Sequence, residues 1–441
     1  MERSMMKRLE DWKASPTRKP LLLYGARQVG KTWLLEEFGR TSYESFVRVD
    51  FLKERSLRGI FQRDFDVSRI VREISLRKNA RIDEQGTLLI LDEIQEAPGA
   101  LTSLKYFCED MPGLHVAAAG SYMGIAQHEG ESFPVGKVDA LTLRPMGFLE
   151  FLEACGQEML ASAIRARDFD TIERIALDRV EEQLRSYLFV GGMPEAVSAF
   201  ARSGSFEEAR DVQLQIASDY DGDFSKHAPV RLLERMRLVW DSLPSQLARE
   251  NKKFVYGLVR KGARAKDLEE CIQWLRDYGV VQKVPRVTAL RIPLSGYEDG
   301  SAFKLYALDV GLLGALAELP ISAVLEGSRL FTEFKGSLTE QYVMQELLLM
   351  GATPRYWSAE NATAEVDFAI ALDGSLAPIE VKAAENVRAR SLRVACEKFG
   401  IPKGVRTSLS GYRDDGWLVN VPLWAISQLS ADDLAVKEDR L

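Results

Sequence analysis

The sequence has few cysteines, and their spacing excludes the structures that cysteines usually build. The four lie far apart, with no Cys-x-x-Cys pair, at Cys108, Cys155, Cys271 and Cys396. A zinc knuckle needs closely spaced cysteine pairs, and a disulfide framework needs more cysteines in a shorter chain. We therefore expect free thiols that are buried as small apolar side chains.

Long apolar runs are also missing. No stretch contains the ~18 consecutive apolar residues that are needed to cross a bilayer. Residues 1–8 carry charge but no apolar segment of the kind found in signal peptides. The sequence therefore predicts a cytoplasmic protein that has no membrane partner.

Positive charge is not in excess either. The chain has 58 basic and 65 acidic side chains, which gives a net charge of −7. Binding to nucleic acid through the charge of the whole molecule is therefore not expected, but local basic patches remain open. Charge has to be judged segment by segment.

The composition and the length of the chain are those of a folded protein with several domains. Apolar residues make up 46% and charged residues 28%, which excludes a disordered or fibrous chain. Hydrophobic cores stop growing at about 250–300 residues, so a chain of 441 residues should divide. Changes in the residue pattern predict three parts, at residues 1–150, 151–300 and 301–441.

The first part has the pattern of an α/β domain. Short apolar runs rich in β-formers alternate with helical stretches, and the runs are Leu21–Tyr24, Phe46–Phe51, Leu88–Leu91 and Leu114–Ala119. Strands that alternate with helices are typical of a parallel sheet. We therefore predict a parallel sheet with helices on its faces.

A phosphate-binding motif follows the first of these runs. Its residues match G-x-x-x-x-G-K-T and are Gly25, Ala26, Arg27, Gln28, Val29, Gly30, Lys31 and Thr32. The motif lies between a predicted strand and a predicted helix, as a P-loop requires. The glycines let successive amides face a phosphate. Lys31 would contact the β- and γ-phosphates, and the Thr32 hydroxyl would hold Mg²⁺.

A second motif, Leu88–Glu93, supports nucleotide hydrolysis. Its four apolar residues form a buried strand that ends in Asp92 and Glu93, at the edge where parallel sheets bind ligands. Asp92 would complete the Mg²⁺ shell. Glu93 would orient or deprotonate the attacking water, which binding alone would not need.

Other residues are weaker candidates for the nucleotide site. Ser121 follows the fourth strand, where P-loop ATPases with an extra central strand often place a residue that senses the γ-phosphate; otherwise it caps a helix. Arg27 and Arg144 could stabilise the transferred phosphoryl group, or are ordinary packing or surface arginines.

The middle part is mostly helical and ends in a basic segment. Residues 249–266 contain seven basic side chains against one acid. The residues that follow predict a helix and a short hairpin, the outline of a winged helix. A basic winged helix would bind DNA, while a helical connector with solvated lysines fits the same pattern.

The third part contains a hairpin whose register can be predicted. Asp373-Gly374 is a strong signal for a two-residue turn, and the residue numbers of cross-strand partners then sum to 747. This register places Val366, Phe368, Ile379 and Val381 on one face. Asp367 and Glu380 lie opposite each other on the other face, which is unfavourable unless a positive group lies between them.

A divalent metal is the natural positive group for this pair. Asp367 and Glu380 would bind it, Glu340 on the preceding helix would add a ligand, and Lys382 would act on a water or a phosphate. Oxygen ligands favour Mg²⁺ or Mn²⁺. Residues 382–413 carry eight basic side chains against two acids, which suits a nucleic-acid backbone. An exposed charged hairpin beside a solvated helix would give the same pattern.

The order of Glu340, Asp367 and Glu380-Val381-Lys382 resembles the restriction-endonuclease-like, PD-(D/E)xK, nuclease core. Nearly the full chain is similar to bacterial and archaeal AAA-type P-loop ATPases with a nuclease-like C-terminal domain. The segments that carry this similarity are Gly25–Thr32, Leu91–Glu93, Ala119–Ser121, Gly136-Lys137, Leu143–Phe148, Gly191–Glu195, Leu305–Leu312, Lys335–Glu340 and Pro378–Lys382.

The resemblance implies a fold and a function. The expected fold is an α/β P-loop domain of AAA/ASCE type, a helical middle with a winged-helix-like module, and a restriction-endonuclease-like α/β C-terminal domain. The expected function is an ATPase that uses ATP and Mg²⁺ and couples nucleotide state to DNA binding through residues 249–266 and 382–413, with or without cleavage at a Mg²⁺ or Mn²⁺ site. The alternative is a nucleotide-gated switch or scaffold that binds nucleic acid or protein without cleaving. Assembly into oligomers is left open.

Overall fold

The computed structural model describes residues 3–120, 133–249, 252–322, 329–360, 364–383 and 389–435. The chain divides into two compact units. The first comprises residues 1–144 with 277–280, and the second comprises residues 145–276 and 281–441. No helix in the described ranges is long and apolar enough to span a membrane.

The described residues of the first unit form five strands and five α-helices. The strands are β1 (Leu21–Tyr24), β2 (Ser45–Asp50), β3 (Thr87–Asp92), β4 (His115–Gly120) and β5 (Asp139–Thr142). The helices are α1 (Met5–Ala14), α2 (Lys31–Ser42), α3 (Ile60–Arg63), α4 (Val67–Lys78) and α5 (Ala100–Asp110).

The five strands form one parallel sheet in the order β2-β3-β4-β1-β5. The predicted parallel α/β architecture is therefore confirmed, and β4 is inserted between the two strands that carry the nucleotide motifs. Every residue of β3 and β4 is buried, because helices cover both faces of such a sheet. The loops after β1 and β3 consequently leave the sheet at the same edge.

The second unit contains twelve helices and eight strands among the residues with described positions. The helices are α6 (Phe148–Ala154), α7 (Glu158–Arg165), α8 (Phe169–Ile175), α9 (Leu177–Val190), α10 (Pro194–Ser203), α11 (Phe206–His227), α12 (Val230–Leu247), α13 (Tyr256–Val259), α14 (Ala265–Asp277), α15 (Val310–Leu316), α16 (Arg329–Leu349) and α17 (Arg390–Phe399). The strands are β6 (Val281–Val287), β7 (Glu298–Ala307), β8 (Arg355–Ser358), β9 (Glu365–Leu372), β10 (Ser375–Val381), β11 (Gly404–Ser408), β12 (Arg413–Asp414) and β13 (Leu418–Pro422).

These strands form a mixed sheet in the order β12-β13-β11-β10-β9-β8-β6-β7. The helix–helix–hairpin outline expected in the middle part exists as α13, α14, β6 and β7. The hairpin, however, continues the large sheet, because β6 also pairs with β8. It therefore does not form the wing of a separate module, and the expected boundary after residue 300 falls inside β7.

The β9–β10 hairpin has the predicted register. The five antiparallel pairs from Ser375↔Leu372 to Ile379↔Phe368 all sum to 747. Asp373 and Gly374 have φ values of 46° and 83°, as a type I′ turn requires. Val366, Phe368 and Ile379 are fully buried, so the apolar face lies in the core and the charged face is held in a fixed position.

Asp309 joins two helical segments of the second unit. Its carboxylate accepts hydrogen bonds from the amide of Leu312 at 3.1 Å, which caps α15, and from the amide of Gly192 at 2.6 Å. A Cβ at Gly191 would lie 2.1 Å from Asp309 Oδ1. This close approach explains why the turn before α10 contains glycine at that position.

A second buried carboxylate, Glu346 on α16, accepts a hydrogen bond from the amide of Phe148 at 2.8 Å. The pKa of Glu346 is raised to about 7, chiefly by burial and also by the charge of Glu150, against the lowering effect of the Phe148 amide. Because the folded protein binds this proton more tightly than the unfolded chain, its ionisation destabilises the fold as pH rises toward 7.

We predict that Glu346→Gln flattens the pH dependence of stability. The wild type should lose on the order of 2–3 kcal/mol from this group between about pH 4.5 and 7, at about 1.4 kcal/mol per pH unit. The glutamine keeps the acceptor for the Phe148 amide and does not ionise. Urea denaturation at several pH values measures the effect. The exposed Glu158→Gln is the control, and parallel curves for wild type and Glu346→Gln would contradict the prediction.

Candidate functional site

The P-loop joins β1 to α2 in the conformation that phosphate binding requires. Gly25 has φ of 154°, and a Cβ there would lie 2.4 Å from the carbonyl oxygen of Leu143. Gly30, the N-cap of α2, is left-handed with φ of 91°, and Gln28 also has a positive φ of 63°. These positions curl the backbone before the start of a twelve-residue helix, so amides and the helix dipole converge on one point.

Lys31 is held inside this loop. Its ammonium donates hydrogen bonds to the carbonyl oxygens of Gly25 at 2.9 Å and Ala26 at 2.7 Å. Burial lowers the pKa of Lys31 to about 8, against the raising effect of Glu93 and Asp92. An anionic phosphate would favour the protonated ammonium and can replace these backbone partners.

The two residues expected to hold Mg²⁺ are neighbours. The Thr32 hydroxyl donates a hydrogen bond to Asp92 Oδ2 at 3.0 Å. Asp92 is 3% exposed, and burial raises its pKa, while Thr32 and Arg48 act against that rise. Mg²⁺ at a nucleotide commonly takes one or two protein ligands and completes its shell with phosphate oxygens and waters. The donor pair therefore fits the ion that the motifs imply.

Arg48 on β2 was not identified from the sequence. It forms ion pairs with Glu36 at 2.6 Å, Asp50 at 2.7 Å and Asp92 at 3.1 Å. One signal in the sequence could have identified Arg48, namely its position near the carboxyl end of a predicted strand. That strand, β2, pairs with β3 and places Asp50 directly beside Asp92. The guanidinium is the local counter-charge of the buried Asp92.

Glu93 lies at the sharp turn after β3. Its backbone is left-handed, with φ of 53°, and its Oε2 accepts a hydrogen bond from the Gln95 side chain at 2.6 Å. The turn directs the chain away from the sheet immediately after Asp92. The carboxylate of Glu93 lies close enough for its charge to raise the pKa of both Asp92 and Lys31; its action on water stays a prediction.

The structure says little about the weaker candidates for the nucleotide site. Ser121 lies outside the described residues. The carbonyl of Arg144 accepts a hydrogen bond from the Arg3 side chain at 2.7 Å, and burial lowers the pKa of Arg144. Arg144 thus has the burial expected of a packing arginine.

In the second unit, a lysine contacts Glu340 and Asp367, two of the three carboxylates that were expected to bind a metal, together with Glu365. Lys304 on β7 is fully buried, and its ammonium lies 2.6 Å from Glu365 Oε1, 3.6 Å from Glu340 Oε2 and 3.9 Å from Asp367 Oδ1. It also lies 5.0 Å from the centre of the Tyr356 ring. We call Lys252, Lys304, Glu340, Glu365 and Asp367 the ionic cluster.

A second lysine completes the ionic cluster. Lys252, which is 8% exposed, donates to Glu340 Oε1, and the hydroxyl of Tyr306 donates to Glu340 Oε2 at 3.2 Å. Both oxygens of Glu340 are therefore engaged. Burial acts to raise the pKa of Glu340, but Lys252 and Lys304 outweigh it and lower that pKa, so Glu340 is ionised.

Asp367 is the least stabilised acid of the ionic cluster. Burial and the charge of Glu340 raise its pKa to about 7. Its Oδ2 accepts a hydrogen bond from the amide of Val381 at 2.8 Å. Nearby, Glu380 Oε1 forms an ion pair with Lys382 at 2.7 Å. Within the described part of the chain, no three acidic, histidine or cysteine side chains are grouped to hold a metal ion.

The basic segments expose fewer charges than the sequence suggested. Lys252 and Lys403 are buried and paired with Glu340 and Asp414, and Arg388 lies outside the described residues. An exposed patch remains between α13 and α14 and consists of Arg260, Lys261, Arg264 and Lys266. We call these four the basic patch. The patch forms no ion pair with any residue whose position is described.

In the second unit, sequence reasoning missed Lys304 and interpreted Lys252 as part of an exposed basic segment. Lys304 lies within the otherwise apolar run Ala302–Ala307. A single charge in such a strand indicates a buried, paired group, but the partner cannot be identified without the tertiary structure.

Comparisons with known proteins support the AAA-type fold expected for the first unit. An AAA domain model matches residues 17–152. This part of the chain is therefore similar to AAA domains, in agreement with its P-loop and its parallel sheet. Two domains of unknown function match the remainder, DUF8612 at residues 181–323 and DUF4143 at residues 335–425.

Two solved structures are similar to the chain. The Walker-type ATPase PABY2304 of Pyrococcus abyssi has 17% identity and a TM-score of 0.42, with 72% of this chain and 95% of that chain covered. The C. elegans protein PCH-2 has 12% identity and a TM-score of 0.22, with 36% of this chain and 46% of that chain covered. No curated protein matches this sequence.

We predict that Lys31→Ala weakens nucleotide binding. The loss should be on the order of 100-fold or more in Kd, because a buried charged partner is commonly worth about 2–5 kcal/mol. Calorimetric titration with an ATP analogue and Mg²⁺ measures it. Lys53→Ala, whose side chain is 82% exposed, is the control. Equal affinities of the Lys31→Ala variant and the wild type would contradict the assignment of Lys31.

Proposed function

We propose that the protein binds ATP with Mg²⁺ at residues Gly25–Thr32 and Asp92, and hydrolyses it with Glu93 as the residue that activates water. The observation that carries this proposal is the hydrogen bond between Thr32 and Asp92 at the edge of the sheet where the P-loop lies. It brings together two motifs that are 60 residues apart.

Each residue has a separate task in this proposal. The P-loop amides and the start of α2 bind the phosphates, and Lys31 exchanges its bonds to Gly25 and Ala26 for phosphate oxygens. When bound, Mg²⁺ neutralises the charge of the phosphates, and Thr32 and Asp92 hold it. Glu93 orients the attacking water and accepts its proton.

We predict that Glu93→Gln separates binding from hydrolysis. The glutamine has the same shape and keeps an acceptor for Gln95, so the Kd for ATP should change less than about threefold. The kcat should fall by about 10²–10⁴-fold, the usual contribution of general-base catalysis. Phosphate release measures kcat.

The matched control is Glu96→Gln, three residues away, where the carboxylate instead pairs with Arg58 at 3.2 Å. That variant should hydrolyse ATP normally. A Glu93→Gln protein with normal turnover would show that Glu93 is not the base.

We further propose that the second unit binds DNA through the basic patch. Support comes from four exposed cations within seven residues, at the turn between α13 and α14. Phosphate backbones attract such clusters even when the net charge of the protein is negative. The exposed basic residues of α17, Arg390, Arg393 and Lys398, are a second candidate contact.

Whether the second unit cleaves DNA depends on the ionic cluster. A metal-dependent nuclease needs free carboxylate oxygens for the metal, and the ion pairs of Glu340 and Glu365 favour binding without cleavage. We therefore propose that the protein binds nucleic acid under the control of ATP and does not cleave it.

We predict that Arg260→Glu/Lys261→Glu weakens DNA binding. Each lost phosphate contact should reduce the slope of log K against log salt by about 1. Fluorescence anisotropy with a labelled duplex at several salt concentrations measures both affinity and slope. Arg185→Glu/Arg202→Glu removes the same charge from α9 and α10 and is the control. An equal loss in both double variants would indicate a general charge effect and contradict the assigned patch.

A further inference from the structure

The ionic cluster is unusual because its positive charges belong to the protein and are buried. Lys304 is 0% exposed and Lys252 is 8% exposed. Lysine is rarely buried unless it is paired. Here Lys252 contacts Glu340 on the helix α16, and Lys304 contacts Glu340 and also Glu365 on the strand β9.

The three ion-pair distances of Lys304 show that it lies among all three acids of the ionic cluster. Its ammonium is 2.6 Å from Glu365, 3.6 Å from Glu340 and 3.9 Å from Asp367. A divalent ion bound by the same acids would need oxygens at about 2.0–2.6 Å. The ammonium and such an ion cannot occupy this space together, and their like charges would repel.

Other oxygens of the ionic cluster also have partners already. Glu340 has both oxygens engaged, and Asp367 Oδ2 is engaged by the Val381 amide. A divalent ion in the ionic cluster would have to displace these partners as well as Lys304. Glu380 lies outside the ionic cluster and pairs with Lys382 through Oε1.

We propose that Lys304 is the resident cation of the ionic cluster and excludes a divalent metal from it. The lysine supplies positive charge to Glu340, Glu365 and Asp367, so this part of the second unit folds and persists without Mg²⁺ or Mn²⁺. This inference concerns only the second unit and does not depend on ATP binding or hydrolysis in the first.

Removing the lysine should convert the cluster into a metal site. Lys304→Met keeps much of the side-chain volume but leaves Glu340, Glu365 and Asp367 with only Lys252. Three acids in one buried space favour a divalent ion with oxygen ligands. The variant should melt at a lower temperature than the wild type, and Mn²⁺ should restore much of the loss.

The experiment counts bound Mn²⁺ by electron paramagnetic resonance of the full chain without nucleotide. Wild type and Asp367→Asn should bind the same number of ions, because the asparagine keeps an acceptor for the Val381 amide and no ion is bound at Asp367. Lys304→Met should gain one site with at least tenfold higher affinity than any site of the wild type in the second unit. Lys304→Met/Asp367→Asn should lose that site.

Two results would overturn the proposal. The first is a Mn²⁺ site in the wild type that Asp367→Asn removes, since Lys304 would then coexist with the metal. The second is a folded Lys304→Met protein that gains no site. If Lys304→Met does not fold, the comparison of wild type with Asp367→Asn still decides the question. Loss of ATP binding would affect neither comparison. Failure of the proposed ATPase function can therefore be distinguished from failure of this proposal.

Discussion

A carboxylate that folding removes from water needs a positive partner, and this requirement shapes both charged centres of the chain. In the first unit, Asp92 is buried at the end of β3 and is neutralised by Arg48, with a hydrogen bond from Thr32. In the second unit, Glu340 is buried on α16 and is neutralised by Lys252 and Lys304. What each centre can bind follows from how firmly the protein's own cation is held there.

The two centres differ in this respect. Arg48 is partly exposed and has two shorter ion pairs, to Glu36 and Asp50. It can therefore release Asp92 without losing its partners when a nucleotide and its metal arrive. Lys304 has no exposed surface, and its closest partners are the acids of the ionic cluster. Displacing it would leave an ammonium buried without compensation, which is strongly unfavourable.

The sequence was most informative where local pattern decides structure. The P-loop, four of the five strands of the first sheet and the Asp373-Gly374 hairpin depend on glycine conformations and on short apolar runs, and they were predicted closely, whereas β5 was not predicted. The sheet membership of β6 and β7 was not predictable, because pairing between β6 and β8 joins residues 70 positions apart. The same applies to Lys304, which contacts acids 36 to 63 positions away. The opposed acids Asp367 and Glu380 each have a lysine as ion-pair partner, Lys304 and Lys382, and the hairpin pattern alone could not distinguish such partners from a metal.

Metal should therefore bind at the P-loop of the first unit and not in the ionic cluster of the second. A crystal grown with Mn²⁺ and a non-hydrolysable ATP analogue, measured for anomalous scattering, tests it most directly. The account predicts a manganese peak beside Thr32 and Asp92 at the phosphates, and no peak among Glu340, Glu365 and Asp367. A peak at the three acids, or its absence beside Asp92 when the analogue is bound, would contradict it.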